Sequence, residues 1–355
     1  MARPAGGGHF SPALAGVFTL LVVYASLHPL SGWHDSGASP FAFLAAGWPR
    51  YPSYLDFTVN VAGYLPLGFL WVPANMSRLA KLPAVAVAVV LGSALSLVME
   101  VTQNYLPGRV PSNLDWACNS LGALVGALAG AKWGPALLDG GRIHDWRMRR
   151  VAVGRMGDLG VVLAGLWLFT QFDPTTLLFG NDDLRGLLGM RDAFPYLAQG
   201  FARVEAILVG AHTLALGLLF QGLFRERGFA SAAVVVGAGI AAKTLVFAVA
   251  MGPDHALAWA TPGSLAGLSA GILLWLVCAR LMPWLRLAAG AMALLAATVL
   301  VNLAPNNPYL VHSLQVWTPG HFFHFHGATS LVASAWPFLA LAWLTLSRRP
   351  ADEIR

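Results

Sequence analysis

Ten separate stretches of this chain are long and apolar enough to cross a bilayer as helices: 13–30, 56–73, 82–100, 115–132, 157–172, 203–224, 229–250, 264–280, 284–302 and 327–346. Lipid offers backbone polar groups no partner. A spanning segment must therefore satisfy them internally, and about 20 apolar residues in a helix do so. The ten-residue alternation of a barrel strand is absent. The expected fold is all-α: a polytopic helical membrane protein with about ten transmembrane helices. Composition agrees, because 57% hydrophobic and 11% charged residues with a mean hydropathy of +0.64 exclude an ordinary soluble domain, in which about a quarter of residues are charged. Cys118 and Cys278 both lie in apolar runs and frame neither a disulfide scaffold nor a zinc site.

Charge then sets orientation. With the N-terminus inside, the inner connections and both termini hold Arg3, Arg78, Lys81, six cations from Lys132 to Arg155, Arg225, Arg227, Arg280, Arg286, Arg348, Arg349 and Arg355, which is 16 of the 22 Lys and Arg. The outer connections hold Arg50, Arg109, Arg185, Arg191 and Arg203, and Lys243 lies inside a span. The positive-inside rule thus places both ends in the cytoplasm. The formal net charge of +6 reports orientation, and no nucleic-acid partner is expected. Arg3 followed by an apolar run also fits a signal peptide. No clear small-x-small site follows the run, so the segment is read as a retained helix.

A shift of 145 residues brings Tyr24-Ala25-Ser26-Leu27-His28-Pro29 opposite Phe169-Thr170-Gln171-Phe172-Asp173-Pro174, Gly92 opposite Gly237, and Gly122 and Gly126 opposite Gly267 and Gly271. One constant offset serves three helices of each half. The expected organisation is a four-helix domain at 13–133, a basic cytoplasmic linker at 134–156, a degenerate second four-helix repeat at 157–280 running parallel to the first, and two C-terminal transmembrane helices at 284–346.

In the first half the polar residues gather at one depth, near the outer surface. Asp56 and Asn60 begin the second helix, Glu100 and Gln103 end the third, and Asp115 and Asn119 begin the fourth. Each pair is spaced three or four residues apart and so shares a helical face. Gly63, Gly122 and Gly126 extend those faces and would permit close helix approach. The loop between the third and fourth helices supplies Arg109, a cation within reach of three carboxylates. Two readings stand: an outward-facing polar pocket, or groups that only tie helix ends together, with Asp115 as a cap.

The run Asp56-x3-Asn60-x2-Gly63-Tyr64-x-Pro66-Leu67-Gly68, followed by Glu100-x2-Gln103-x5-Arg109-x5-Asp115-x3-Asn119-x2-Gly122-x3-Gly126, resembles the VanZ-like family over about residues 15–133. That family is named for an accessory protein of teicoplanin resistance. The resemblance implies an integral-membrane domain of the bacterial cell envelope, in the plasma (inner) membrane, with no settled reaction. Asp56, Asn60, Glu100, Gln103, Arg109, Asp115 and Asn119 occupy its motif positions here. At the 145 shift Glu100 falls on Leu245, Arg109 on Asp254, Asp115 on Ala260 and Asn119 on Ser264, so a single site belongs to the first half.

The second half has polar residues of its own. Glu205 and Lys243 lie at similar depth in adjacent helices and are expected to pair. His212 lies deeper and is expected to hydrogen-bond between helices. Asp182 and Asp183 read as a solvated turn. His321, His324 and His326 fall within six residues, but no Asp, Glu or Cys lies nearby to complete a site and the interleaved Trp and Phe suit an interfacial belt, so no metal and no cofactor is expected.

Three functions follow in order. The first is a binding protein whose ligand residues Asp56, Asn60, Glu100, Gln103, Arg109, Asp115 and Asn119 recognise an anionic or lipid-linked headgroup. Its expected partners are membrane lipids and a lipid-linked cell-wall or glycan precursor. The second is a membrane enzyme with Glu100 or Asp115 as catalytic acid or base and Arg109 stabilising phosphate charge. The third is a transporter, weakened because the repeats are parallel and the polar residues sit at the rim.

Overall fold

The computed structural model describes residues 10–28, 30–35, 37–48, 54–76, 78–140, 142–152, 154–185, 198–225, 227–304 and 321–347. The helices are α1 (Phe10–Leu27), α2 (Ala42–Ala45), α3 (Tyr54–Met76), α4 (Lys81–Gln103), α5 (Asn113–Gly134), α6 (Arg142–Arg150), α7 (Arg155–Thr170), α8 (Ala198–Leu223), α9 (Gly228–Met251), α10 (Pro262–Cys278), α11 (Pro283–Leu303) and α12 (His321–Leu346). A helix stands at each of the ten expected places. Among the described residues eight are long and apolar enough to cross a membrane. Of the other two, α7 has 16 residues and α10 has 17, so α10 rises about 25 Å against a hydrocarbon layer of about 30 Å. The basic stretch between the halves is partly helical, since it contains α6.

The chain divides into two compact units, residues 1–148 with 323–328, and residues 149–322 with 329–355. In the first, α5 presents a glycine every four residues to α3. A Cβ on Gly122, Gly126 or Gly130 would overlap the backbone carbonyl of Val61, Leu65 or Phe69, and one on Gly68 would overlap that of Ala123. Glycine here allows two backbones to touch, which is how helices associate where lipid removes the hydrophobic drive. The core beside this seam is small: Val72, Ala84, Ala88, Ala127 and Ala131. Gly63 differs from expectation: nothing lies within 4 Å of where its Cβ would stand, so it sits beside the seam and not in it.

In the second unit α8 packs against α9, α10 and α11, around a core that includes Trp167, Phe179, Phe220, Trp275 and Trp336. Its close approach is again made by glycine, with Gly267 against Ala206 and Gly271 against Gly210. These two contacts are the pairs Gly122–Val61 and Gly126–Leu65 with 145 added to every number. The equivalence stops there, since a Cβ on Gly92 would press on that of Ala123 while Gly237 faces open space.

Residues 171–185, following α7, are folded into this unit, and the expectation of a solvated turn at Asp182 and Asp183 is corrected in part: both are half-exposed but bonded to the folded segment around them. Gln171 and Asp173 have no exposed surface, and Asn181 and Arg185 are buried. The Asp173 carboxylate accepts from the Thr175 amide (2.9 Å), the Thr175 hydroxyl (2.6 Å) and the Thr329 hydroxyl (2.6 Å). Asp182 accepts from the Ser330 hydroxyl and the Asp183 amide. Arg185 donates to Asp183 at 2.9 Å and to the Ala304 carbonyl at 2.6 Å. Polar residues read as solvent-facing instead satisfy one another and the backbone of a buried segment, as buried polar groups must.

The expected Glu205–Lys243 pair is also corrected. Lys243, on α9 and fully buried, donates to the carbonyls of Asp173 (2.5 Å) and Thr176 (2.6 Å) and to the Thr176 hydroxyl (3.0 Å). Glu205 accepts from the Thr261 hydroxyl at 2.7 Å. Similar depth places two side chains at one level but does not rotate their helices to face each other. His212 bonds within its own helix, Nδ1 to the Leu208 carbonyl at 2.8 Å, and not between helices.

Burial raises the Asp182 carboxyl above its ordinary value, with the nearby Asp173 adding to the rise and the bonds from Ser330 and Asp183 opposing it. A carboxyl raised by folding is held in its neutral form, so stability falls as pH climbs from about 4 through the raised value. Asp182→Asn should therefore gain on wild type in thermal midpoint as pH is raised above about 4. Parallel midpoint curves would show that Asp182 is charged at no cost to the fold.

Candidate functional site

The six motif residues with described side chains meet where α3 and α5 begin and α4 ends. Pro111-Ser112-Asn113-Leu114-Asp115 starts α5 as a capped turn, with the Ser112 hydroxyl accepting from the Asp115 amide at 3.3 Å. The Ser112 amide in turn donates to Glu100 Oε2 at 2.9 Å, so the last turn of α4 holds the first residue of the next helix. Asn60 Nδ2 donates to Asp115 Oδ1 at 2.8 Å, and Asn119 Nδ2 donates to Ser96 Oγ at 2.9 Å. The Asp56 side chain lies outside the described residues, as do those of His321, His324 and His326.

Two candidates do structural work on α1. Gln103 Nε2 donates to the Ser26 carbonyl at 2.8 Å. Arg109 donates to the carbonyls of Ala25 at 3.2 Å and His28 at 3.4 Å. The closing turn of a helix leaves carbonyls without intrahelical donors, and a cation there also complements the dipole. Arg109 thus caps α1 while standing within electrostatic reach of Glu100 and Asp115. Burial lowers the guanidinium's pKa and the two carboxylates work against that fall.

Depth divides the cluster. Glu100, Gln103 and Asn119 are buried, whereas Asn60, Arg109, Ser112 and Asp115 are half-exposed. An approaching molecule would meet the second group first. Tyr64 and Ser96, which spacing did not single out, belong to the inner part: the Tyr64 hydroxyl faces Ser26, Ser96 and Glu100. A usable signal was present, because Tyr64 is four residues beyond Asn60 and Ser96 four before Glu100, one turn deeper on the same faces. Among the described residues no group of three or more His, Cys, Asp or Glu is placed to hold a metal ion.

What the arrangement can do is accept hydrogen bonds. Glu100 and Asp115 each bring a carboxyl group and Arg109 a guanidinium, and the Asn119 carbonyl adds a neutral acceptor. Comparison with known proteins bears on the same segment. No curated protein and no solved structure matches the chain. Residues 12–132, the first third of this membrane protein, match the family model described as VanZ/LLP1, and that segment is similar to the VanZ-like family.

Proposed function

We propose that the first unit recognises the headgroup of a lipid-linked cell-envelope intermediate, entering from the outer face where the positive-inside rule puts the ends of α3, α4 and α5. The observation that carries this reading is the half-exposed Asn60–Asp115 pair with Arg109 above the buried Glu100. With two carboxyl groups to one guanidinium the site offers more acceptors than cations, which disfavours a bare phosphate. It suits a headgroup rich in donors, such as a glycan with hydroxyls and amides, in preference to the anionic group that Arg109 alone suggests. A domain that holds such an intermediate would bear on glycopeptide (teicoplanin) sensitivity by occupying the drug's cell-wall target. The second unit repeats the glycine-mediated helix approach without the motif, which suits a scaffold.

Native mass spectrometry of the purified chain with two probes tests the reading: a polyprenyl diphosphate carrying a disaccharide, and the same polyprenyl diphosphate without sugar. The wild type should retain the first in preference to the second. Asp115→Asn keeps the bond from Asn60 and removes the charge, and should lower retention roughly tenfold. Equal retention of the two lipids would overturn the glycan reading, and retention of neither would overturn headgroup recognition.

A further inference from the structure

We infer that the end of the second unit that the positive-inside rule places in the cytoplasm binds the phosphates of acidic phospholipids of the inner leaflet. This goes beyond the headgroup reading, which concerns the first unit. Three connections are tied together at that end. An isolated antiparallel bridge between Val151 and Phe224 joins the first two, with the Arg225 amide donating to the Arg150 carbonyl at 2.8 Å and the Ala152 amide to the Leu223 carbonyl at 3.0 Å. The Ala279 carbonyl brings in the third, because it accepts from Gln221 Nε2 at 3.5 Å and from Arg286 Nη1 at 3.4 Å.

These bonds gather Arg149, Arg150, Arg225, Arg227, Arg280 and Arg286 from three distant stretches of the chain. Arg150 and Arg286 are half-exposed and the other four are exposed. Among the described residues none of the six pairs with a carboxylate. The acids of these connections are Asp158, half-exposed in the first turn of α7, and Glu226, which lies outside the described residues. Orientation in the membrane asks only that inner connections carry cations; it does not ask that three of them be bonded into one cluster. Cations so gathered repel one another, and an anion relieves that repulsion. A guanidinium meets a phosphate with two parallel N–H donors, so a set made of arginine suits phosphate.

The neighbours of these arginines fix the source of the phosphate. Met282 and Trp284, which lie between Arg280 and Arg286 in the chain, are 64% and 61% exposed. Free phosphate or a nucleic acid would leave both in water. A lipid covers them as well, with its phosphate on the arginines and its glycerol and upper acyl chain on the tryptophan, a side chain that favours the membrane–water boundary.

The test compares the full-length wild type with the double variant Arg225→Gln, Arg227→Gly, both in detergent at low salt. Arg227 stands in the left-handed region at φ 48°, where glycine is the unstrained residue, so the pair of changes removes charge without burdening the fold. The probes are diphosphatidylglycerol, with two phosphates, and phosphatidylcholine of the same acyl chains. In native mass spectrometry the wild type should retain the first in preference to the second. A cation near an acidic membrane surface contributes about a fivefold factor, so the double variant should retain diphosphatidylglycerol roughly twentyfold less well. Its thermal midpoint without lipid should equal or exceed that of wild type. Equal retention of the two lipids by the wild type would overturn the proposal, as would a double variant that keeps its diphosphatidylglycerol. If the double variant does not fold, Arg280→Gln carries the same comparison, with a fall of roughly fivefold expected.

Discussion

Lys243→Met is expected to be among the most damaging single changes in the second unit, costing about 3–5 kcal/mol. Methionine fills nearly the same volume, so the loss isolates the ammonium. That group holds three acceptors, the carbonyls of Asp173 and Thr176 and the Thr176 hydroxyl, in a site with no exposed surface. Removing it takes a charged donor from both carbonyls, although the Asp173 carbonyl keeps the 3.3 Å bond from the Thr176 hydroxyl, and removes a positive charge that interacts with Asp173. The expected result is a large drop in thermal midpoint in detergent, partly recovered in the double variant with Asp173→Asn, where the charge to be balanced is also gone. Glu205→Gln is the contrasting case. Its carboxylate accepts from Thr261, and an amide oxygen accepts as well, so the change should stay within about 1 kcal/mol. If Glu205→Gln were as costly as Lys243→Met, the two would be coupled and the separate partners described above would be wrong.

Gly126→Leu should have a comparable effect on the first unit. A Cβ at this position overlaps the Leu65 carbonyl, and backbone cannot yield as a side chain can. The two helices would have to part, which places the cost at or above the upper end of the roughly 1–3 kcal/mol of ordinary overpacking. The same separation would draw Asn60 on α3 away from Asp115 on α5, so lipid retention should be lost along with stability. Gly63→Ala provides the internal comparison: with open space around it, alanine should be neutral or stabilise the helix by up to about 1 kcal/mol. Similar midpoints for Gly126→Leu and Gly63→Ala would mean that the seam does not depend on backbone contact.

These contrasts mark what could be read from residue order. The spans were legible because lipid leaves the backbone one solution, and apolar length reports it directly. The glycine seam was legible because a period of four on one helix can face only one neighbour, although Gly63 showed that belonging to the motif does not place a residue in the seam. The motif residues were legible as a cluster since each pair sat at a helix end near one depth. Rotation was not legible: Glu205 and Lys243 share a level but face different neighbours. Nor was the fate of residues 171–185, whose Asp, Thr and Gln composition matches a surface turn. Their partners Thr329, Ser330, Asn302 and Lys243 lie far along the chain, and nothing local announces them. Tyr64, part of the motif run but given no role, and Ser96 were passed over because each looks ordinary alone; their meaning comes from lying one turn below Asn60 and Glu100.

The capping of α1 by Gln103 and Arg109 has a consequence for membrane thickness. With 18 residues, α1 rises about 27 Å, a little short of a typical hydrocarbon layer of about 30 Å. An uncapped helix of that length would have to thin the bilayer around its end or pull water down to its last carbonyls. Here an amide and a guanidinium from elsewhere in the unit replace that water, so α1 can stop below the headgroups without deforming the lipid. Tolerance to bilayers of different thickness is thereby built into the same residues that line the site.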